Sequence, residues 1–375
     1  MIYLDNAATT KPCEKAAEAM MQAVTEFANP SSLHGAGLRA EKLVTAAREN
    51  IAKTLGVAGN DIYFTSGGTE ANNLAIFGTA DALKKRGNRV ITSKIEHPSV
   101  LEAFKKLEKD GFDVVFTDVL PDGVIDIESF ENALTDDTIL VSIMHVNNET
   151  GVIQPIEKIS KLVREKAKNC VIHCDCVQSF GKIPVKPQKM DVDMVSISAH
   201  KIHGFKGCGA LYTKNRRINP IIFGGEQQNE LRPGTENVGG ILAFSAAASE
   251  CKTDADEMRK KRDLMKSLLM EGTENILING SDEFSSGSVL NVSFIGIKAE
   301  ILLHSLERHE IYVSTGSACS SHKPQPSHVL MAMGLSQEAV NGAIRISFSQ
   351  NTTEEEIRFA SQKIAEEVKT IRRYM

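Results

Sequence analysis

The sequence predicts an α/β protein with a mostly parallel sheet, helices on both faces of that sheet, and a smaller C-terminal α/β domain. Short apolar runs typical of buried strands alternate with helical stretches, which is the pattern of parallel βαβ units. The pattern changes near residue 249, where a long charged helix begins. The chain has 375 residues, which is enough for one large and one smaller domain. We therefore predict a large domain of residues 12–250 and a small domain of residues 251–375 that also includes residues 1–11.

The strands of the large domain are predicted from apolar runs rich in β-branched residues. These runs lie at residues 61–65, 89–93, 114–116, 138–143, 171–173 and 194–197. Helical stretches at 70–85 and 156–168 lie between some of them. The charged helix is predicted from about residue 249 to 270, and a strand, a helix, a strand, a loop, a helix, a strand and a helix follow. Thr353 and Glu356 have capping-box spacing at the start of the last helix.

Composition limits the functions that fit this chain. A net charge of -5 gives no reason to expect nucleic acid as a direct partner. No window approaches the length of a membrane span, and the first residues lack the basic and apolar parts of a signal peptide. We therefore expect a cytoplasmic protein that does not bind membranes. The seven scattered cysteines favour reduced thiols over a disulfide framework.

Three cysteines near His173 raise the question of a metal site. They are Cys170, Cys174 and Cys176. Zinc sites usually show a CxxC pair and a second ligand cluster, and this sequence has neither at the required spacing. Buried strand cysteines are the preferred interpretation, and no catalytic metal is predicted.

Lys201 ends the tetrapeptide Ser-Ala-His-Lys, directly after the apolar run at 192–197 and before a glycine-spaced segment at 204–210. This order predicts a lysine just past the carboxyl end of a strand, where open α/β sheets bind ligands. A partly desolvated lysine there can lose its proton and form a Schiff base with pyridoxal phosphate (PLP). The alternative is an ordinary loop lysine beside a turn, so the decision depends on the other motifs.

A second motif, Thr-Ser-Gly-Gly-Thr at 65–69, runs from a strand end through two glycines into a helix. Backbone N–H groups and the helix dipole attract a phosphate at such a turn, and the Thr69 hydroxyl can add a hydrogen bond. The Gly-Lys-Ser/Thr signature of nucleotide triphosphate loops is absent. The same pattern is also typical of a plain strand-to-helix turn.

Three polar positions follow other predicted strands. His97 could stack on a cofactor ring or move protons, although a lone loop histidine is often simply solvated. Asn148 lies in an asparagine-rich segment that offers amide hydrogen bonds or forms a plain turn. Asp175 ends an apolar strand and needs a cationic partner, because an unpaired buried charge is costly. That partner is a protonated pyridine nitrogen or an arginine elsewhere in the chain.

Seven motifs occur in order from one end of the chain to the other. They are Ser-Gly-Gly-Thr-Glu at 66–70, Glu-His at 96–97, His-Val-Asn-Asn-Glu-Thr-Gly at 145–151, Asp-x-x-Gln at 175–178, Ser-x-His-Lys at 198–201, Arg-Pro-Gly-Thr at 232–235 and Gly-Ser-Ala-Cys at 316–319. Together they resemble the cysteine desulfurases of the NifS/IscS type over nearly the whole length. The resemblance implies a PLP-dependent homodimer of fold type I with a mixed, mostly parallel seven-stranded sheet. It also implies conversion of L-cysteine to L-alanine, with the sulfur left as a persulfide on an enzyme cysteine.

The resemblance implies a role for each cofactor-binding residue. Lys201 would carry PLP, Asp175 would pair with the pyridine nitrogen, and His97 would stack on the ring as a further catalytic residue. Gln178 would bond the phenolic oxygen. The phosphate would be bound by Gly68, Thr69, Ser198 and His200.

The resemblance also implies contacts beyond the cofactor of one subunit. Thr235 would reach the phosphate in the partner subunit, which is why a homodimer is expected. Asn148 would lie beside cofactor and substrate, and Arg345 would bind the substrate carboxylate, a task suited to a guanidinium group. Without the resemblance, Arg345 reads as a strand arginine that faces water. The Lys201 amine, once displaced by substrate, would take the Cα proton.

Cys319 lies in a small, polar segment, Ser-Thr-Gly-Ser-Ala-Cys-Ser-Ser-His-Lys-Pro at 314–324. A structural cysteine prefers apolar neighbours, so this setting favours a reactive thiol. The resemblance implies that Cys319 is the nucleophile that takes the sulfur. The length of the loop resembles the branch of the family that transfers sulfur directly to an acceptor protein, either an iron–sulfur scaffold or a tRNA-thiolating enzyme. Cys319 could also transiently ligate an iron–sulfur cluster.

Three positions depart from the family pattern. Gly68 stands where many relatives carry alanine, which we expect only to loosen the turn. Cys176 and Cys208 add thiols near the site, and we expect them to complicate assays of single-thiol reactivity.

Other functions of the same fold are a selenocysteine lyase and an aminotransferase, in which Cys319 would select selenium or be incidental. A noncatalytic sulfur-relay scaffold is the alternative of another class. The intact set of Lys201, Asp175 and Cys319 argues against such a scaffold.

Overall fold

The computed structural model describes residues 1–214, 217–251, 254–315 and 326–374. The helices in these ranges are α1 (Glu14–Thr25), α2 (Gly35–Leu55), α3 (Gly68–Leu83), α4 (Pro98–Lys109), α5 (Ile127–Ala133), α6 (Ile156–Lys166), α7 (Val238–Glu250), α8 (Ala255–Gly272), α9 (Ala299–Glu307), α10 (His328–Ala332), α11 (Gln337–Asn341) and α12 (Glu354–Arg372). The strands are β1 (Ile2–Tyr3), β2 (Ile62–Thr65), β3 (Arg89–Ser93), β4 (Asp113–Thr117), β5 (Thr138–Met144), β6 (Val171–Asp175), β7 (Met194–Ser198), β8 (Gly209–Thr213), β9 (Ile276–Asn279), β10 (Val289–Phe294), β11 (Ile311–Tyr312) and β12 (Ala343–Ser347).

The large sheet has seven strands in the order β2-β8-β7-β6-β5-β3-β4. Only β8 runs against its neighbours, and the pairs among β3, β4, β5, β6 and β7 are parallel. The six predicted strands correspond to β2 through β7, with small shifts at their ends. The predicted fold class and the mixed, mostly parallel seven-stranded sheet are therefore confirmed.

The antiparallel strand β8 was not among the predicted strands, and its first residue explains why. A Cβ on Gly209 would lie 2.7 Å from Gly67 Cα and 2.7 Å from the Ile197 carbonyl oxygen. The glycine that lets these backbones approach so closely makes the sequence look like a loop.

Helices cover both faces of this sheet. Adjacent residues of β3 point to opposite sides, because side chains alternate along a strand. Ile91 packs in a core with residues of α2, α6 and α7, while Val90 packs in another core with residues of α3 and α4. Because both faces are apolar, the strands read as continuous apolar runs.

The C-terminal part has its own antiparallel sheet, in the order β12-β10-β9. Its core includes Leu4 from the N-terminal segment together with residues of α8, α9 and α12. β1 pairs in parallel with β11, so the N-terminal segment packs on this part of the chain. This separate core supports the proposed boundary after residue 250, with residues 1–11 joined to the small domain.

The helices and strands of the C-terminal part agree with the prediction except in a few places. The predicted start of the charged helix, at about residue 249, is too early. Helix α7 continues to Glu250, and α8 begins at Ala255 with Asp254 as its N-cap. The capping box at α12 is confirmed, since Thr353 and Glu356 bond each other's backbone N–H groups. The small domain also contains an additional strand before α9.

The topology brings the ends of many strands to one edge. β2 runs in the direction of β7, because both are antiparallel to β8. The carboxyl ends of β2, β3, β5, β6 and β7 therefore lie at the same edge, where ligands bind in open α/β sheets. Within the described ranges, every helix is too short or too polar to cross a membrane.

Candidate active site

The glycine turn at 67–68 connects β2 to α3 at the ligand-binding edge. The backbone N–H of Ser66 donates to the Glu70 carboxylate at 2.7 Å, and Arg232 donates to the same carboxylate at 2.6 and 3.1 Å. Burial alone would raise the pKa of Glu70, but the hydrogen bonds from Arg232 and Ser66 hold the pKa below its usual value. This ion pair ties the distant Arg-Pro-Gly-Thr segment to the glycine turn.

Ser198, the last residue of β7, lies close to this turn. Its Oγ is buried and has no hydrogen-bond partner in the described part of the chain. A Cβ on Gly68 would lie 3.7 Å from Ser198 Cβ and 2.7 Å from Val177 Cγ2. Gly68 therefore does more than loosen the turn, because Val177 fills the space that an alanine Cβ would need. Thr69 follows with an exposed side chain.

His200 is next to Lys201, in the short 3-10 helix Ala199–Lys201. Its Nδ1 is 3.2 Å from the Thr9 hydroxyl. Burial, together with the charges of neighbouring lysines, lowers the pKa of His200 to about 4. The ring is therefore neutral near pH 7 and can donate a single N–H to an anion.

Asp175 ends β6 and is fixed by two hydrogen bonds. Asn72 Nδ2 donates to Oδ2 at 2.8 Å, and the Val177 N–H donates to Oδ1 at 2.9 Å. No arginine or lysine of the described ranges forms an ion pair with this carboxylate. The alternative of an arginine partner is therefore unsupported, and Asn72 is a functional neighbour that the sequence did not reveal.

His97 is the N-cap of α4, and its Nδ1 accepts from the Ser99 N–H at 3.1 Å. Burial lowers the pKa of His97, the charge of Asp175 opposes this effect, and Lys201 adds to it. The Ser99 hydroxyl, 2.8 Å from His97 Nδ1, accepts from the same Asn72 Nδ2 that donates to Asp175, so His97 and Asp175 lie at the same edge. A neutral, oriented imidazole at this position can stack on a flat cofactor.

Lys201 lies at the end of β7, as predicted, and contacts the N-terminal segment. Its Nζ donates to the carbonyl oxygens of Ala7 and Ala8, both at 2.7 Å. Gln178 Nε2 donates to the same Ala7 oxygen at 2.9 Å, while Gln178 Oε1 accepts from Lys182 Nζ at 3.0 Å. The N-terminal segment and Lys182 are parts of the site that the sequence alone did not indicate.

Arg345, in β12, is 4% exposed. Its Nη2 donates to Asp5 Oδ1 at 2.7 Å and its Nη1 donates to the Asn148 carbonyl at 3.1 Å. Its Nε is buried without a hydrogen-bond partner in the described residues. The alternative of a strand arginine that faces water is therefore wrong, and Arg345 meets Asn148 as well as the unpredicted Asp5.

Cys319 lies outside the described residues, but both flanks of its segment are anchored near the site. Ser314 exchanges backbone hydrogen bonds with Arg345, at 3.1 and 2.6 Å. Ser327 Oγ donates to the buried Glu149 carboxylate at 2.5 Å. Glu149 follows Asn148 directly in sequence, so the two flanks lie beside both proposed substrate-binding residues.

Thr235 is exposed and lies in the loop that Arg232 anchors. Together with Thr65, Ser66 and Cys208 it lines a small cavity of about 140 Å³. This single chain does not test the predicted contact of Thr235 with a partner subunit.

The thiols of Cys174, Cys176 and Cys208 are buried. Burial raises the pKa of Cys208 to about 12, so this thiol is neutral. Cys176 lies 3.6 Å from Cys174, and both are fully buried, so access limits their reaction with reagents. Interference by Cys176 and Cys208 in thiol assays is therefore expected to be smaller than the sequence suggested. The described residues contain no cluster of metal-ligating side chains.

The site fits PLP in three respects. An unpaired buried hydroxyl, that of Ser198, stands beside a helix N-terminus and fits a phosphate. A carboxylate fixed by hydrogen bonds, that of Asp175, fits a pyridinium nitrogen. Lys201 follows β7, the strand next to β6, and lies in the short 3-10 helix at the same edge.

Fold and site together define a PLP-dependent enzyme, and comparison with known proteins gives its family. The family model Aminotransferase class-V matches residues 2–359. The chain belongs to this family, whose members depend on PLP.

Within the family, the similar proteins carry more specific names. The chain is 41% identical over 382 residues to the cysteine desulfurase IscS of Dictyoglomus turgidum. The alignment covers 100% of this chain and 96% of the relative. A solved structure titled NIFS-like protein superposes with a TM-score of 0.92 at 39% identity, covering 98% of this chain and 99% of that one. A structure titled SspA in complex with cysteine has a TM-score of 0.83 at 34% identity, covering 93% and 99% of the two chains. The resemblance to cysteine desulfurases is confirmed.

Proposed function

We propose that this protein is a PLP-dependent cysteine desulfurase that converts L-cysteine to L-alanine and keeps the sulfur as a persulfide on Cys319. The observation that carries the proposal is the meeting of two groups of residues at one sheet edge. Hydrogen bonds link Asp175 through Asn72 and Ser99 to His97, and Arg345, whose buried Nε has no partner in the described residues, lies against Asn148. The names of the similar proteins support the same activity.

The cofactor residues act as follows. Lys201 would hold PLP covalently, Asp175 would pair with the pyridine nitrogen, and His97 would stack on the ring. Gln178 would donate to the phenolic oxygen. The phosphate would be bound by Gly68, Thr69, Ser198 and His200 of the same chain. When bound, PLP supplies an electron sink for electrons released at the substrate Cα.

Arg345 and Asn148 bind the substrate. A guanidinium group can take a carboxylate through two parallel N–H bonds, so substrate binding would exchange the Asp5 contact of Arg345 for a bidentate one. The Asn148 carbonyl already accepts from Arg345 Nη1, and this hydrogen bond limits the orientation of the guanidinium plane. The substrate is therefore an α-amino acid with a free carboxylate.

The remaining steps use Lys201 and Cys319. Once the substrate amine has displaced Lys201 from the cofactor, the freed Lys201 amine would take the Cα proton and hold it at Nζ. The Cys319 thiolate attacks the substrate sulfur and the sulfur–carbon bond breaks, leaving its electron pair on carbon, which gains a proton. One enzyme thiol and one cysteine thus give one enzyme persulfide and one alanine, with no external oxidant.

We propose a homodimer in which Thr235 completes the phosphate site of the partner. Large apolar side chains are exposed on the segment after α1, where Leu33 is 94% and Phe27 is 84% exposed. A cleft of about 610 Å³ separates residues 30–31 of this segment from residues 226–229, in the loop before Thr235. A second copy would cover this apolar surface, which single soluble chains rarely leave exposed.

Mixing a Lys201→Ala subunit with a Thr235→Ala subunit tests this arrangement. Both lesions fall on one site of the heterodimer and the other site stays intact, so activity should return. Failure to recover activity, with subunit exchange shown by mass, would contradict a shared site.

The acceptor is proposed to be an iron–sulfur scaffold or a tRNA-thiolating enzyme, in the cytoplasm. Direct contact with nucleic acid or membranes is not part of the proposal. The long segment around Cys319 suits direct transfer to such a protein.

The function is tested by incubating the purified protein with L-cysteine and measuring alanine and sulfide together. We expect equal amounts of alanine and transferable sulfur, and neither product from Lys201→Ala, which should also lose the visible band of the bound cofactor. Glutamate-dependent transamination would indicate an aminotransferase, and turnover of selenocysteine alone would indicate a selenocysteine lyase. A protein that binds no PLP would be the scaffold.

A further inference from the structure

Lys182 is a buried lysine for which the proposed function assigns no role. It is 9% exposed and lies four residues after Gln178. The chain reaches Lys182 through a turn at Gly181, which has a φ of 75°. A Cβ on Gly181 would lie 2.8 Å from Ile202 Cγ2, so no larger residue fits there. The turn at this glycine directs the lysine back toward the cofactor site.

The contact of Lys182 fixes the orientation of a side-chain amide. Lys182 Nζ donates to Gln178 Oε1 at 3.0 Å, and Gln178 Nε2 donates to the Ala7 carbonyl at 2.9 Å. The same carbonyl accepts from Lys201 Nζ. An NH2 group has two hydrogens, so one remains for a second acceptor. If the amide turned over, it would place its NH2 against the lysine and lose both contacts.

The surroundings of Lys182 are short of negative charge. Burial, with a contribution from Lys201 and Arg345, lowers the pKa of Lys182 to about 7, and Cys251 opposes this effect. Lys182 in turn lowers the pKa values of His200 and His203. Among the described residues no carboxylate forms an ion pair with this amine. Within the described residues this amine is therefore held by its hydrogen bond to Gln178 and by no salt bridge.

We propose that Lys182 is a positioning residue that holds the Gln178 amide with its N–H toward the phenolic oxygen of the cofactor. This inference rests on the proposed function. Without the lysine, the amide can turn its oxygen toward the phenolic oxygen, and two acceptors would then face each other. The cofactor would bind more weakly, and the proton shared by the phenolic oxygen and the Lys201 nitrogen would be held more tightly.

The test compares Lys182→Met and Lys182→Ala with Lys182→Arg, which keeps a donor. Lys189→Met, at an exposed lysine of the same segment, is the matched control. PLP affinity is measured by titrating the apoenzyme, and the visible band of the bound cofactor is followed as a function of pH. We expect about tenfold weaker PLP binding in the Met and Ala variants, the cost of one lost or reversed hydrogen bond in a buried site.

We further expect the midpoint of the band titration to rise by about one pH unit in both donor-free variants. Lys182→Arg should restore affinity and midpoint, and in a Gln178→Ala background Lys182→Met should cause no further change. Two donor-free variants are used because methionine keeps volume while alanine avoids overpacking. Folding of each is checked by circular dichroism.

Wild-type affinity and midpoint in a folded donor-free variant would overturn the role of Lys182. An equal further loss in the Gln178→Ala background would do the same, because it would show an effect that does not pass through Gln178. If neither donor-free variant folds while Lys182→Arg does, but Gln178→Ala keeps the wild-type midpoint, the inference also fails. The proposed function fails separately, if the wild-type protein has no visible cofactor band or forms no alanine and transferable sulfur from L-cysteine.

Discussion

The two halves of the site are built differently. The cofactor side, formed by Gly68, Asp175, Ser198 and Lys201, uses the ends of strands in one sheet and the turns that follow them. The substrate side, formed by Asp5, Asn148 and Arg345, joins residues up to 340 positions apart. A continuous sheet fixes the first set through local backbone geometry. The second set depends on the N-terminal segment and the small domain meeting the sheet edge, so the two sides should respond differently to substitution.

The largest expected effect is on the cofactor side, at Asp175. Asp175→Ala removes the proposed charge partner of the pyridinium and leaves the Asn72 amide with Ser99 Oγ as its remaining acceptor. We expect kcat to fall by about a thousandfold and PLP to bind more weakly, because a buried counter-charge is lost. Absorbance titration of the apoenzyme and alanine production measure the two effects.

The matched variant Asp175→Asn keeps the shape and the acceptor oxygen but lacks the charge. A loss close to that of Asp175→Ala is expected if charge is decisive. Activity close to wild type in either variant would refute the proposed pairing.

On the substrate side, Arg345→Ala should raise the KM for L-cysteine by about a hundredfold while PLP affinity stays within twofold, because a bidentate carboxylate contact is lost. Asp5→Ala should change KM by less, since Asp5 holds the guanidinium only until substrate replaces it. Steady-state kinetics and PLP titration on the same preparations separate the effects. If PLP affinity fell as much as KM rose, the two sides would not be independent.

A smaller effect is expected at the glycine turn. Gly68→Ala would place a Cβ 2.7 Å from Val177 Cγ2, so the turn or the Val177 side chain must shift. We expect PLP affinity to fall by about three- to tenfold, an overpacking cost at a binding site. The double variant Gly68→Ala, Val177→Ala should recover most of the affinity. A Gly68→Ala protein with unchanged affinity would show that the turn adapts freely.

The last effect concerns stability rather than activity, at Glu96 behind the site. Burial raises the pKa of Glu96 from 4.5 to about 8, although hydrogen bonds from Ser93 and Met144 oppose the shift. Between these pH values the folded protein keeps a proton that the unfolded chain releases. The free energy of unfolding therefore falls as pH rises from about 4.5 through about 8, by up to about 1.4 kcal/mol per pH unit from this group.

Glu96→Gln imitates the protonated acid and should flatten this part of the stability profile while keeping activity near pH 7. Denaturant unfolding of both proteins at several pH values measures the difference. Parallel profiles would mean that Glu96 is ionised in the folded protein.

The position of the proposed cofactor residues at one sheet edge could be predicted from the sequence, for a physical reason. Asp175 and Lys201 directly follow buried apolar runs, and parallel strands bring their carboxyl ends to one edge. Fold class and sheet composition followed from the same alternation. The strand β8 was not predicted because it begins with Gly209, and glycine is more typical of a loop than of a strand.

The supporting residues could not be predicted in the same way. Asn72 reaches Asp175 across 103 positions, and Asp5 reaches Arg345 across 340. Hydrogen bonds over such distances depend on tertiary packing and leave no periodic pattern in the chain. Lys182 is close to Gln178 in sequence, yet a lysine after a glycine reads as a surface residue until its burial is seen.

The most direct test of the proposed chemistry is to locate the sulfur. Wild-type protein and Cys319→Ala are each incubated with L-cysteine in the absence of reductant and acceptor. The masses of the intact protein and of its peptides are measured by mass spectrometry, and the released alanine is quantified. We expect one alanine per active site, a mass gain of one sulfur atom, and that sulfur on the peptide with Cys319. The Cys319→Ala protein should still bind PLP and cysteine but release almost no alanine. Alanine release at the wild-type rate from Cys319→Ala, with free sulfide as the other product, would contradict the account.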